Sequence, residues 1–189
     1  AVWGVTGITG ITADTNANVK ITFKNNLPAT SFNRIRIFHN ACNTNYHIYM
    51  NDTSQVTKTS VNIEEDYTLF TLKNAVDTLS FNIKKAVSGD SSSFELYGIL
   101  FENDNPGIVY HSIGVNGASF KSYLRCEKFV SQLKYLQPDL VIISIGTNDT
   151  FDPDFDSTKY ETRYDSFLSQ ISIANPKATF ILTVPNDSY

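Results

Sequence analysis

The apolar positions of this chain keep two different rhythms. Up to about residue 104 they alternate over short runs: VKITF (19–23), RIRIF (34–38), YHIYM (46–50), YTLFTL (67–72), LSFNI (79–83) and FELYGILF (94–101). A period of two puts every second side chain on one face, as in a strand that covers a core. Turn-forming clusters separate the runs, at Asn25-Asn26, Leu27-Pro28, Asn51-Asp52 and Ser88-Gly89-Asp90. Short strands so spaced, with little helical pattern between them, predict a β-sandwich.

Beyond FENDNPG (101–107) the rhythm changes. IVYHSIG (108–114) predicts a strand. Phe120, Tyr123, Leu124, Phe129, Leu133 and Leu136 then follow at mostly three- to five-residue spacings, which predicts a helix with one apolar face, closed by Pro138. DLVIISIG (139–146) predicts a second strand. Tyr160, Tyr164, Phe167, Leu168 and Ile171 mark a second helix, capped by Asp156 or Ser157 and stopped at Asn175-Pro176. ATFILTV (178–184) predicts a third strand. Strand, helix, strand, helix, strand implies a parallel sheet with covering helices. The expected division is an all-β module over 1–104 and part of an α/β domain over 105–189, with no internal repeat.

Open α/β sheets bind ligands at the carboxyl ends of their strands. Three polar clusters are expected on that rim: Ser112, Gly114, Asn116, Gly117 and Ser119; then Gly146, Thr147, Asn148 and Asp149; then Pro185, Asn186, Asp187 and Ser188. A glycine just before a helix lets the backbone approach a ligand and aim an N–H at it. An Asn at a strand tip can aim its amide at the same point. Such a donor pair makes an oxyanion hole, which stabilises the tetrahedral intermediate of acyl transfer. Gly117 equally suits a tight strand–helix turn, and Asn148 a helix or turn cap. Spacing alone leaves both readings open.

Composition narrows the class. The 189 residues suit one large domain or two small ones. A net charge of −4 and a pI near 5.3, with no run of Lys or Arg, argue against a nucleic-acid-binding surface. No apolar run approaches the roughly 20 residues of a membrane span. No signal peptide is visible, and a mature chain would have lost one. The surface composition leans on Asn, Thr, Ser and Tyr, which is common in secreted, periplasmic and sugar-binding proteins. Trp3 and ten tyrosines are candidates for stacking on sugar rings in the β module, although alternation of the tyrosines with apolar neighbours favours packing. Cys42 and Cys126 lack metal-site spacing and read as small buried residues; a bond between them stays open. Asp14, Asp52 and Asp90 are loop carboxylates that could bind calcium, without a DxDxD string to support it.

The segment YGILFENDNPGIVYHSIGVNGASF (97–120), followed by QPDLVIISIGTND (137–149), resembles the SGNH hydrolases, also called the GDSL lipase/esterase family. That family takes its nucleophile from a Gly-Asp-Ser motif, oxyanion donors from a Gly and from the Asn of Gly-x-Asn-Asp, and the rest of its triad from Asp-x-x-His. GTND carries the Asn role to Asn148. IGVNGAS carries the Gly role to Gly117, with Gly114 as a second candidate. The resemblance implies a three-layer, flavodoxin-like α/β domain and serine ester hydrolysis that needs no metal or other cofactor. Bacterial members act on O-acetylated peptidoglycan or other acetylated glycans, and some carry an inserted β-sandwich similar to a carbohydrate-binding module. By that analogy residues 1–104 are an insert, the partner is an acetylated glycan, and the location is secreted or periplasmic.

The chain also departs from the pattern. Gly89-Asp90-Ser91 sits in SGDSSS (88–93) between two predicted strands and reads as a hairpin loop. All three histidines, His39, His47 and His111, precede GTND. His39 and His47 read as surface or structural residues of the β module. His111 and Ser112 do not suit a catalytic pair, because neighbouring strand side chains point to opposite faces. The stretch is therefore expected to supply the oxyanion half of an esterase site and to be inactive alone, with Ser and His lying outside it. Two other classes stay open: a non-catalytic carbohydrate-binding protein on a degenerate hydrolase scaffold, and a structural surface protein whose GTND is only a turn.

Overall fold

The computed structural model describes residues 2–23, 31–151 and 153–184. The expected turns at Asn25-Asn26 and Leu27-Pro28, and the cluster from Pro185 to Ser188, lie outside the described residues. The chain divides into two compact units, residues 9–110 and residues 1–8 with 111–189.

The first unit contains β1 (Gly10–Thr12), β2 (Asn16–Thr22), β3 (Phe32–His39), β4 (Tyr46–Met50), β5 (Val56–Asn62), β6 (Tyr67–Val76), β7 (Thr78–Lys85) and β8 (Phe94–Glu102). They form two antiparallel sheets, ordered β1-β8-β3-β6-β5 and β2-β7-β4. Alternation decides which way each strand faces. In β7, Leu79, Phe81 and Ile83 are buried, while Ser80, Asn82 and Lys84 point the other way. Ile35 at the centre of β3 pairs with Phe70 on one side and Phe101 on the other. Both sheets feed one core. Phe32, Ile35, Ile37, Phe70 and Phe94 come from the larger sheet, and Tyr46, Leu79, Phe81 and Ile83 from the smaller. Fully burying one such side chain contributes about 1.5–3 kcal/mol.

All six runs read from alternation are strands. β1 and β5 carried no signal: β1 spans three residues, and β5, VTKTSVN, is a mostly exposed, polar sheet edge. The expected hairpin at Gly89-Asp90-Ser91 is a different connection. β7 and β8 belong to different sheets, so this loop crosses from one sheet to the other. His39 belongs to the core of this unit, whereas His47 is exposed. The His39 ring stacks on Phe94 at 5.2 Å, and Nε2 lies 2.8 Å from the Thr68 hydroxyl.

The second unit contains α1 (Phe120–Leu124), α2 (Phe129–Leu133), β9 (Leu140–Ile143), α3 (Thr147–Thr150), α4 (Ser157–Ala174) and β10 (Thr179–Leu182). β9 and β10 run parallel, with Val141 opposite Phe180. The α4 helix begins as the sequence indicates: the Asp156 carboxylate accepts the Thr158 and Lys159 N–H groups. Its Phe167 and Ile171 are buried against Phe120, Tyr123, Phe129 and Ile143. The whole is a mixed α/β protein whose larger sheets are antiparallel.

Three expectations need correction. The parallel sheet has two strands among the described residues, because 108–114 is not a strand. Ile108 is 99% exposed and Tyr110 84%, and no described strand runs alongside to take their backbone groups. The helix expected over 120–136 is broken into α1, α2 and a short 3₁₀ turn. The break has a tertiary cause: the Lys128 N–H donates to the Trp3 carbonyl at 3.1 Å, just ahead of α2. The buried Gln132 side-chain oxygen accepts the Val5 N–H at 2.9 Å. These two bonds hold residues 1–8 to the second unit, where the sequence had placed them in the β module.

Burial lowers the His39 pKa to about 4, against an opposing pull from Asp66. The folded state therefore holds a neutral ring that the unfolded chain protonates near 6.5. Its contribution is complete above pH 6.5 and is lost as pH falls toward 4, a change of about 3 kcal/mol. Urea unfolding at pH 7.5, 5.5 and 4.5 should show this decline in the wild type. It should be markedly shallower in His39→Gln, which keeps a partner for Thr68 without a titrating ring.

Candidate active site

The site begins where β9 ends. Gly146 has φ +139°, a conformation L side chains rarely adopt, and it turns the strand tip directly into α3. In this single helical turn Asn148 is exposed and the next residue, Asp149, is buried at 6% exposure. The two side chains grip the same loop. Asn148 Nδ2 donates to the Ala118 carbonyl at 2.9 Å. Asp149 Oδ2 accepts the Phe120 N–H, the first of α1, at 3.1 Å. Two of the three polar clusters expected on one rim are thus joined; the third lies outside the described residues.

Gly117 precedes the residue that Asn148 holds. It has φ +78°, and a Cβ there would meet no atom within 4 Å, so the backbone angle rather than space calls for glycine. The turn closes through the Ala118 N–H, which donates to the Val115 carbonyl at 3.0 Å. Among the described residues the exposed Gly117 N–H has no acceptor. An amide NH₂ carries two hydrogens, and the bond to Ala118 uses one. Gly117 N–H and the second Asn148 N–H are therefore donors carried by two tethered loops. Gly114 has open space and no left-handed angle, so nothing in its backbone requires glycine.

Asp149 is a part of this arrangement whose role the sequence did not disclose. Burial raises its carboxyl above the usual range, while the Phe120 N–H and the Arg163 charge pull the other way. Asp149, Phe155, Tyr160 and Arg163 also line a polar hollow of about 160 Å³. On the Gly117 side, Trp3, Val115, Ala118, Tyr123 and Cys126 bound a largely apolar cavity of about 290 Å³. Trp3 was expected in the β module. It reaches the cavity through the long-range bonds of residues 1–8, which leave no local signal. Cys126 is buried, and burial pushes its thiol pKa up. Cys42 was expected to be buried but is exposed; both thiols are free.

The remaining candidates are engaged elsewhere. Ser119 and Ser122 cap α1 reciprocally. Asp90 accepts the Ser92 N–H, and strand β8 follows Gly89-Asp90-Ser91 where a nucleophile turn would have a helix. His111 and Ser112 lie in an exposed stretch outside any strand. The three loop carboxylates considered for calcium stand apart, and among the described residues no group of three or more His, Cys, Asp or Glu could hold a metal. Asp52 instead accepts the Ser54 N–H at 3.1 Å, and Asp14 the Thr12 hydroxyl at 3.2 Å.

Residues 77–188 match the model of the GDSL-like lipase/acylhydrolase family, and the chain belongs to that family. A solved structure described as a peptidoglycan O-acetylesterase in action shares the fold, with a TM-score of 0.70 and 20% sequence identity. The likeness covers 96% of this chain and 48% of that one, so the chain spans about half the length of the esterase it matches. No curated protein matches.

The Asp149 bond is testable by itself. Asp149→Ala should leave the Phe120 N–H without its acceptor and cost about 1–3 kcal/mol. Asp149→Asn keeps an oxygen there and should stay near wild type. Hydrogen exchange at the Phe120 amide should accelerate in the first variant and change little in the second.

Proposed function

We propose that this chain is part of a serine esterase that removes O-acetyl or similar acyl groups from a glycan, with Gly117 and Asn148 as its oxyanion donors. The observation that carries the reading is the Asn148–Ala118 bond, which fixes the amide beside the left-handed Gly117 turn. Membership of an acylhydrolase family supports ester cleavage. The shared fold with a peptidoglycan O-acetylesterase supports a glycan substrate.

In this mechanism a serine attacks the ester carbonyl, and the developing oxyanion accepts hydrogen bonds from Gly117 N–H and Asn148 Nδ2–H. Collapse releases the sugar hydroxyl and leaves an acyl-enzyme. Water then attacks, the same donors hold the second tetrahedral state, and the carboxylate departs. The serine nucleophile and its histidine base would come from outside residues 1–189, and the chemistry needs no metal. The two sheets of residues 9–110 would form a carbohydrate-binding-like sandwich within the hydrolase, and the protein would be secreted or periplasmic.

Losing one oxyanion donor typically raises the barrier by about 3–4 kcal/mol. Asn148→Ala in the complete gene product should therefore lower kcat at least tenfold with a modest change in KM. Release of acetate from O-acetylated peptidoglycan measures it. An unchanged kcat would remove Asn148 from the mechanism.

A further inference from the structure

The outward face of the β2-β7-β4 sheet carries side chains that strand stability does not explain. Across this face Asn18 lies opposite Asn82, which lies opposite Tyr49; in the next row Asn16 lies opposite Lys84, which lies opposite His47. Asn51 follows at the end of β4. Asparagine is depleted in strands, where β-branched and aromatic residues fit the pleat better. Here it recurs at central positions on an exposed face, the kind of local conflict that gathers at functional sites.

These amides form a directed chain. Asn18 Nδ2 donates to Asn82 Oδ1 at 3.0 Å, Asn82 Nδ2 to Asn51 Oδ1 at 2.6 Å, and Asn51 Nδ2 to the Ser80 hydroxyl at 2.7 Å. Each amide is thereby fixed in orientation. Asn82 and Asn51 each keep a second N–H, and Asn18 keeps its carbonyl oxygen. Beside them the Tyr49 ring is 48% exposed. The Lys84 ammonium lies 5.7 Å from its centroid and the His47 ring 6.3 Å away. Three strands about 4.8 Å apart make the face about 10 Å wide.

We infer that this face binds a glycan strand bearing carboxylate groups. The exposed aromatic ring offers a platform for the apolar face of a sugar. The oriented amides match sugar hydroxyl and acetamido groups, which like them both donate and accept. The charge selects the anionic class: the three strands present Lys20 and Lys84 outward and contain no Asp or Glu, in a chain of net charge −4. The choice of a glycan rests on the proposed function, but the residues belong to the other unit, far in sequence from Asn148. The sheet face would hold the polymer while ester cleavage takes place elsewhere.

The test is co-sedimentation of the complete gene product with purified peptidoglycan sacculi, as a function of salt. The wild type should bind. Tyr49→Ala and Asn82→Ala should each weaken binding at least fivefold while keeping the wild-type urea midpoint. Lys84→Gln should weaken it and flatten its salt dependence. Binding should be the same on de-O-acetylated sacculi, which offer no ester, so failure of the esterase reading and failure of this one are read separately. A wild type that does not sediment with sacculi, or a Tyr49→Ala/Asn82→Ala double variant that binds undiminished, overturns the inference.

Discussion

The candidate site depends on one tether, the pair of bonds that adjacent residues of α3 make to residues 118 and 120. A β-strand tip and a loop some 30 residues earlier have no intrinsic reason to stay in register. Asn148 fixes the loop by donating to a carbonyl; Asp149 fixes it by receiving an N–H at the start of α1. The two bonds run in opposite directions, so each supplies what the other lacks. Asn148 stays exposed while Asp149 takes the buried position.

Packing carries the tether into the rest of the unit. Phe120, whose N–H Asp149 holds, is fully buried, and its ring meets Tyr160, Tyr164 and Phe167 of α4 at 5.1–5.7 Å between centroids. Edge-to-face contacts of this kind add about 0.5–1.5 kcal/mol beyond area burial. Thus the longest described helix and the first helix share one aromatic cluster, and the Asp149 bond ties the tip of β9 to it. A helix of one turn has little stability of its own. Its position is set from outside, by Gly146 behind it and by the 118–120 loop before it.

Much of this was legible in the sequence, for reasons that can be stated residue by residue. Strands that bury one face announce themselves, and the alternation in 79–83 or 34–38 found them. The GTND stretch was recognisable because an apolar strand ended on groups able to donate and accept. What stayed hidden depended on distant partners. Nothing local to 120–136 shows that Lys128 gives its N–H to Trp3, so the helix break was invisible. Nothing local to 108–114 shows that its apolar residues have no described strand beside them. Asp149 read as one more turn residue because the N–H it holds lies 29 positions away. The amide chain on β2, β7 and β4 was also unreadable, since its members come from three strands and meet only once the register is set.

In the proposed mechanism Gly117 and Asn148 converge on one oxygen. Its most direct test is a structure of the complete gene product after reaction with an alkyl fluorophosphonate, whose tetrahedral phosphoryl group mimics the acyl intermediate. The phosphoryl oxygen should lie within about 2.7–3.1 Å of both Gly117 N and Asn148 Nδ2. A phosphoryl oxygen bound by other donors, with Asn148 still engaged only by Ala118, would contradict it.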